Sequence, residues 1–289
     1  MKRIAVLITC HNRKDKTISC LKSLFKAYNV TSKNFGISVY LTDDASTDGT
    51  SEAVQYYFPQ VNILAGTGSL YWAGGMRNSW NEALKTGFDG YLLLNDDTIL
   101  ESNVFFNIRI VDEFSLKQFG KRGIYVGSTI DESSNIISYG GSIVNNKFLF
   151  SSHKIIPTGK IEICDLGNAN IMYVTNDVVE TIGILNRRYR HGVADYDYTL
   201  TAKRSGVPVL VMPTYCGKCI NDHVNRYHIF NKLSIINRIK FLFAPTGLAF
   251  NDNLLFMYRH FPYRLPFLIL AALIKVLFPV LYKLRQERL

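Results

Sequence analysis

Along the first hundred residues, apolar runs of strand length alternate with amphipathic stretches. Residues 3–9, RIAVLIT, form a β-branched run that ends in Cys10-His11-Asn12-Arg13. Ile18, Leu21, Leu24 and Phe25 then share one face of a helix reaching about Tyr28. Residues 36–42, GISVYLT, predict a second strand, and the polar run Asp43-Asp44-Ala45-Ser46-Thr47-Asp48-Gly49-Thr50 turns into a helix around Ser51 to Tyr57. A third strand follows at 61–65, after which GTGSLYWAGG (66–75) opens a helix from about Met76 to Lys85. This alternation predicts an α/β fold, three layers with a mostly parallel central sheet.

The stretch YLLLNDDT, residues 91–98, is central to that sheet. Four apolar residues read as a strand buried on both faces, and Asn95, Asp96 and Asp97 emerge at its carboxyl end, where open α/β sheets bind ligands. Two adjacent carboxylates repel and are costly to desolvate, so the pattern asks for a cation, and a divalent metal suits it. Beyond it the pattern predicts a helix over 100–118, a strand over 123–130, and a hairpin region with Gly140-Gly141 and Asn145-Asn146 as turn signals. A strand over 171–174 comes next, with Asn176-Asp177 capping a helix from Val178 to about Ile182. Asp195 and Asp197 lie at the start of a helix ending at Gly206, and residues 207–212 return as a strand.

Charge changes the picture mainly at the end of the chain. The formal net charge is +10, and from Arg226 onward ten Lys or Arg face only Asp252 and Glu287. A basic tail interleaved with apolar runs suits an anionic membrane surface and argues against a nucleic-acid partner. Its most apolar part, LPFLILAALIKVLFPVLY (265–282), is interrupted by Pro266, Lys275 and Pro279, which disfavours a crossing. It is expected to lie on the membrane, or on a partner, with burial against the catalytic domain as the alternative. The opening MKRIAVLITCHNR has too short an apolar run for a signal peptide, and five irregularly spaced cysteines fit a reducing compartment. A cytoplasmic protein, peripheral on the inner face of the membrane, is expected. Cys216-Gly217-Lys218-Cys219 lacks the second ligand pair of a zinc site. The glycine-rich segment fits neither the dinucleotide fingerprint nor a P-loop.

Five motifs in this order resemble family 2 glycosyltransferases, inverting enzymes with the nucleotide-diphospho-sugar-binding GT-A fold. They are Thr9-Cys10-His11-Asn12-Arg13, the segment Asp43 to Thr50, the segment Gly68 to Arg77, Leu93-Leu94-Asn95-Asp96-Asp97-Thr98, and Ala194-Asp195-Tyr196-Asp197-Tyr198. The likeness extends over about residues 3–225. It implies a catalytic domain over 1–225, with a donor half of about 1–100 and an acceptor half of 101–225, followed by a basic, hydrophobic helical extension over 226–289. It implies a UDP- or dTDP-sugar donor and an oligosaccharide or lipid-linked glycan acceptor, in cell-surface polysaccharide biosynthesis, with homo-oligomers allowed. Rhamnose, galactofuranose, glucose and N-acetylhexosamines are candidate sugars.

By the resemblance, Thr9, Asn12, Arg13, Asp43, Trp72, Gly74, Gly75, Arg77, Asn95 and Asp96 are donor-site residues. Asp97 binds Mg²⁺ or Mn²⁺, Asp195 is the catalytic base and Asp197 supports the acceptor. His223 is a candidate metal ligand. Two positions depart from the family pattern, since Asn95 stands where relatives keep the first Asp and Ala194 where they keep Glu. A carboxylate at Asp43 can accept from the N3–H of a uracil or thymine ring. Arg77, expected just inside a helix start, can neutralise a diphosphate, and any raised pKa of Asp195 must come from burial or from Asp197. Two rivals are a sugar nucleotidyltransferase and a non-catalytic nucleotide-sugar-binding or scaffold relative.

Overall fold

The computed structural model describes residues 2–31, 35–146, 148, 150–221 and 230–280. The expected boundary at 225–226 and the candidate ligand His223 lie outside them. Six long strands run in one direction and build the sheet: β1 (Lys2–Cys10), β2 (Phe35–Asp43), β3 (Asn62–Ala65), β4 (Gly90–Leu94), β6 (Ile124–Asp131) and β13 (Val209–Lys218). The short β5 (Ile99–Leu100), β7 (Ile136–Tyr139) and β10 (Glu162–Ile163) attach antiparallel to it. Only one central strand, β12 (Ile171–Thr175), opposes the rest, and it separates the two parallel groups in the order β13-β6-β12-β4-β1-β2-β3. The fold is therefore the expected α/β sheet, mostly parallel. A second sheet of three strands joins β8 (Gly141–Asn146) to β9 (Ser151–Lys154) and β11 (Leu166–Gly167).

The strand side chains alternate between two cores. Ile4, Val6, Ile8, Leu92 and Leu94 meet α1 (Lys14–Thr31), α2 (Thr50–Tyr57) and α4 (Val104–Phe119) on one face. Ala5, Leu7, Tyr91 and Leu93 meet α3 (Tyr71–Leu84), α5 (Asn176–Ile182) and α6 (Ala194–Arg204) on the other. A strand buried on both sides reads as an unbroken apolar run, as β1 and β4 do. Three helices close the described chain: α7 (Ile235–Phe243), α8 (Phe250–His260) and α9 (Leu265–Leu277). Leu255, Phe256, Met257 and Phe261 pack with Tyr189 and Ala194, so α8 shares a core with the start of α6.

Two expectations change here. Helix α3 begins at Tyr71, five residues before the glycine pattern predicts, which places Gly74 and Gly75 inside it. A Cβ on Gly75 would sit 2.0 Å from Thr9 Oγ1, so the glycine is required for the helix to cross close to the end of β1. Strand β13 runs on to Lys218 because its far end pairs with β5 and β6, placing Cys216 in the sheet.

Candidate active site

Register brings the polar strand ends to one edge. Cys10 pairs with Asp43 and Asp43 with Ala65, and Leu7 pairs with Leu93, so β1 to β4 deliver their carboxyl ends together. Because β12 is antiparallel, its first residue, Ile171, lies beside Leu94 at that same edge.

The loops at this edge are held by carboxylates. Asp48 accepts from the backbone N–H groups of Lys14 (3.0 Å) and Thr50 (3.1 Å), tying together the starts of α1 and α2. Asp43, only 6% exposed, accepts from Ser46 N–H (2.8 Å) and from the Ser51 hydroxyl. Asn12, at φ 51°, accepts from Thr47 N–H (2.7 Å) and donates its own N–H to Ser46 (2.9 Å). At the start of α3 the chain supplies its own anion: Asp44 accepts from the N–H groups of Gly68 (2.7 Å), Leu70 (2.9 Å) and Tyr71 (3.0 Å). Arg77 is correspondingly deeper in the helix, and its guanidinium donates to Asn186 O (3.1 Å). Burial lowers its pKa, with the negative charge of Asp252 opposing the shift.

The central motif has a cation, and it is Arg13. Its Nη1 lies 2.7 Å from Asp97 Oδ2 and 3.2 Å from Asp96 Oδ1. Asp96 is buried and its Oδ2 has no hydrogen-bond partner, and burial pushes its pKa up to about 7 against the pull of Arg13. Asn95 Oδ1 accepts from the Trp72 indole (2.8 Å), which ties α3 to the motif.

Asp195 reaches the motif through two neighbouring residues. Its Oδ2 accepts from Ala169 N–H (3.2 Å), and the next carbonyl, Asn170 O, accepts from Asn95 N–H (3.2 Å). Oδ1 accepts from Tyr196 N–H (2.9 Å). Burial pushes the Asp195 carboxyl up to about 6, and the backbone bonds restrain it. Asp197 does not contribute to that shift. It turns away into the interior, where a single oxygen accepts from Tyr189 Oη (2.9 Å), Arg259 Nε (2.6 Å) and His260 Nε2 (2.7 Å). These bonds hold its pKa down despite burial, and Asp197 serves as the anchor of α8, in place of the acceptor contact expected of it.

Among the described residues no group of three or more His, Cys, Asp or Glu is placed to hold a metal ion. Magnesium sites that share a diphosphate need fewer, commonly one or two carboxylates, with phosphate oxygens and water completing the shell. Asp97, beside the unpartnered Asp96 oxygen, meets that requirement.

Residues 5–99 match the profile of the family described as glycosyl transferase family 2. The matched segment covers β1 to β4 and ends just past Asp97. The structure is similar to S. aureus TarS 1–349, with a TM-score of 0.53 and 15% identity over 91% of this chain and 72% of that one. It is also similar to the mannosyltransferase PcManGT from Pyrobaculum calidifontis in complex with GDP-Man and Mn²⁺, with a TM-score of 0.53 and 12% identity over 99% of this chain and 79% of that one. No curated protein matches at the sequence level. The fold is that of GT-A glycosyltransferases, and the matched segment supports a glycosyltransferase of family 2 type.

Proposed function

We propose that this chain is an inverting, metal-dependent glycosyltransferase that moves a sugar from a nucleoside diphosphate donor to a hydroxyl of a glycan acceptor. The observation that carries this reading is the link through Ala169 and Asn170, which sets a carboxylate of raised pKa beside the strand-end motif Asn95-Asp96-Asp97. Asp195 takes the proton from the attacking acceptor hydroxyl, and a carboxyl near pKa 6 is a stronger base than an ordinary one while still ionised at neutral pH. Asp97, with Asp96 beside it, would hold the divalent ion, which supplies Lewis acidity to the departing diphosphate. Arg13, already between these carboxylates, adds a second positive charge where the leaving group gathers negative charge. Asp43, at the end of β2, is the candidate reader of a uracil or thymine ring.

The acceptor reading adds a membrane. Helix α9 exposes Phe267, Leu270, Leu273, Ile274 and Leu277, and no helix among the described residues is long and apolar enough to cross a bilayer. An apolar face on a basic segment supports lying along an anionic surface, beside a lipid-linked acceptor.

Purified protein incubated with UDP-, dTDP- and GDP-sugars, with and without Mn²⁺ or Mg²⁺, tests the reading. Metal-dependent release of nucleoside diphosphate supports it. Release of pyrophosphate identifies a nucleotidyltransferase, and binding without turnover on any acceptor identifies a non-catalytic relative. Thermal stabilisation ranks the donors, since a ligand at 100 times its dissociation constant adds about 2.7 kcal/mol.

A further inference from the structure

The loop that leads into α6 is held from far along the chain. Asp252, in the first turn of α8 and 4% exposed, accepts from three successive backbone N–H groups. His191 and Gly192 each donate to Oδ2 at 2.9 Å, and Arg190 donates to both oxygens at 3.3 Å. Directly after this grip comes Val193, a β-branched residue at φ 51° that caps α6. That conformation is strained for a β-branched residue and persists only where surroundings impose it. At its other end α8 grips α6 through Arg259 and His260 on Asp197. The loop also touches the donor side: Arg190 O accepts from Ala73 N–H (3.1 Å), and the Arg190 guanidinium lies 5.0 Å from the centre of the Tyr71 ring.

We propose that Asp252 is a positioning residue for the reaction: by fixing residues 190–192 it imposes the turn at Val193 and so aims the Asp195 carboxylate. This rests on Asp195 being the base. Helix α8 then belongs to the catalytic machinery, although it lies far beyond the segment matched by the family profile.

The partners of Asp195 are uncharged, namely the N–H groups of Ala169 and Tyr196 and the Asn168 amide, so its pKa reports how well it is buried. The test uses the full chain and compares Asp252→Ala, Asp252→Asn and Asp195→Asn for donor affinity, kcat and the pH dependence of kcat/KM. Misaiming a catalytic group by about an ångström costs on the order of a hundredfold. Asp252→Ala is expected to lower kcat by about ten- to a hundredfold with donor affinity within about twofold of the parent. Its acid limb should move below the parent's as Asp195 hydrates. Asp252→Asn keeps an oxygen acceptor for the two 2.9 Å bonds and should fall between Ala and the parent in both readouts. Parent-like kcat and acid limb in both Asp252 variants, with Asp195→Asn inactive, overturn the role of Asp252 alone. If Asp252→Ala does not fold, parent-like values in Asp252→Asn overturn it equally. Full turnover in Asp195→Asn overturns the base assignment, and this inference with it.

Discussion

In the first hundred residues, Asp43, Asp44 and Asp48 hold loops that their own or an adjoining strand end has just delivered, and their partners are chiefly backbone N–H groups between Lys14 and Tyr71. Farther along, Asp195, Asp197 and Asp252 reach across the chain: Asp195 to Ala169, Asp197 to Arg259 and His260, and Asp252 back to residues 190–192. The first kind of site is written as contiguous motifs. The second is assembled by packing, with its residues scattered among ordinary helices. The family profile covers only the first kind, residues 5–99.

The comparison is broken most completely by removing Asp97, the carboxylate proposed to hold the metal. Asp97→Ala should abolish metal-dependent donor binding, and calorimetry showing unchanged affinity with Mn²⁺ present would sink the assignment. On the acceptor side Asp195→Asn should leave that affinity intact while turnover falls by at least about a hundredfold. Retained turnover would mean another base.

The same residue separates activity from stability by pH. The folded Asp195 carboxyl has a raised pKa, about 6, so kcat/KM should fall as pH drops through that value. For stability the sign is opposite: its contribution is fully present below the unfolded carboxylate value and lost as pH rises through about 6. The Tm of Asp195→Asn relative to the parent should therefore rise between pH 4 and pH 8 by an amount equivalent to about 1–3 kcal/mol. A melting curve that moves the other way refutes the burial argument.

A smaller effect sharpens the donor side. Gly75→Ala forces a methyl against Thr9, and overpacking of this kind costs about 1–3 kcal/mol, read as a lowered urea midpoint. Smallest is Asp48, whose hydrogen bonds hold its pKa below the usual 3.8. Its stabilisation is present above that ordinary value and lost as pH falls through the lowered one. Circular dichroism of Asp48→Asn against the parent should show a modest Tm loss at pH 7 that disappears in strong acid.

What the sequence made legible follows the same division. The strands were readable because burial on both faces leaves apolar runs, and the motif at 95–97 because polar residues end one abruptly. Helix α3 was placed late because glycines weaken helix propensity, and nothing local shows that Gly75 is there to clear Thr9. Asp44 showed only as part of the polar run 43–50, since its three N–H partners lie 24 to 27 positions on. Asp197 looked like an open helix-start carboxylate because two of its three partners, Arg259 and His260, are more than 60 residues away. One signal was available for Asp252: one of only two acids in a strongly basic tail, it invites the question of what it pairs with. Within the apolar stretch that begins at Leu265, Ala272 and Val276 are buried while Leu270 and Leu273 stay exposed, a mixture that an unbroken apolar run does not reveal, and Phe261 just before it packs against Phe150 and Phe256. A cut at residue 261 would therefore damage the interior. The cleaner test of membrane docking is Leu270→Glu with Leu273→Glu, which should abolish sedimentation with anionic liposomes and leave donor affinity unchanged.

The separation in sequence between Asp252 and the loop it holds also has a consequence in time. During synthesis β1 to β4 and helices α1 to α3 emerge by residue 100, and α4, which completes their core, by residue 119. The grip on residues 190–192 must wait until α8 has been made. A nascent chain would therefore bring the strand ends of β1 to β4 together well before the turn at Val193 could be imposed ahead of Asp195.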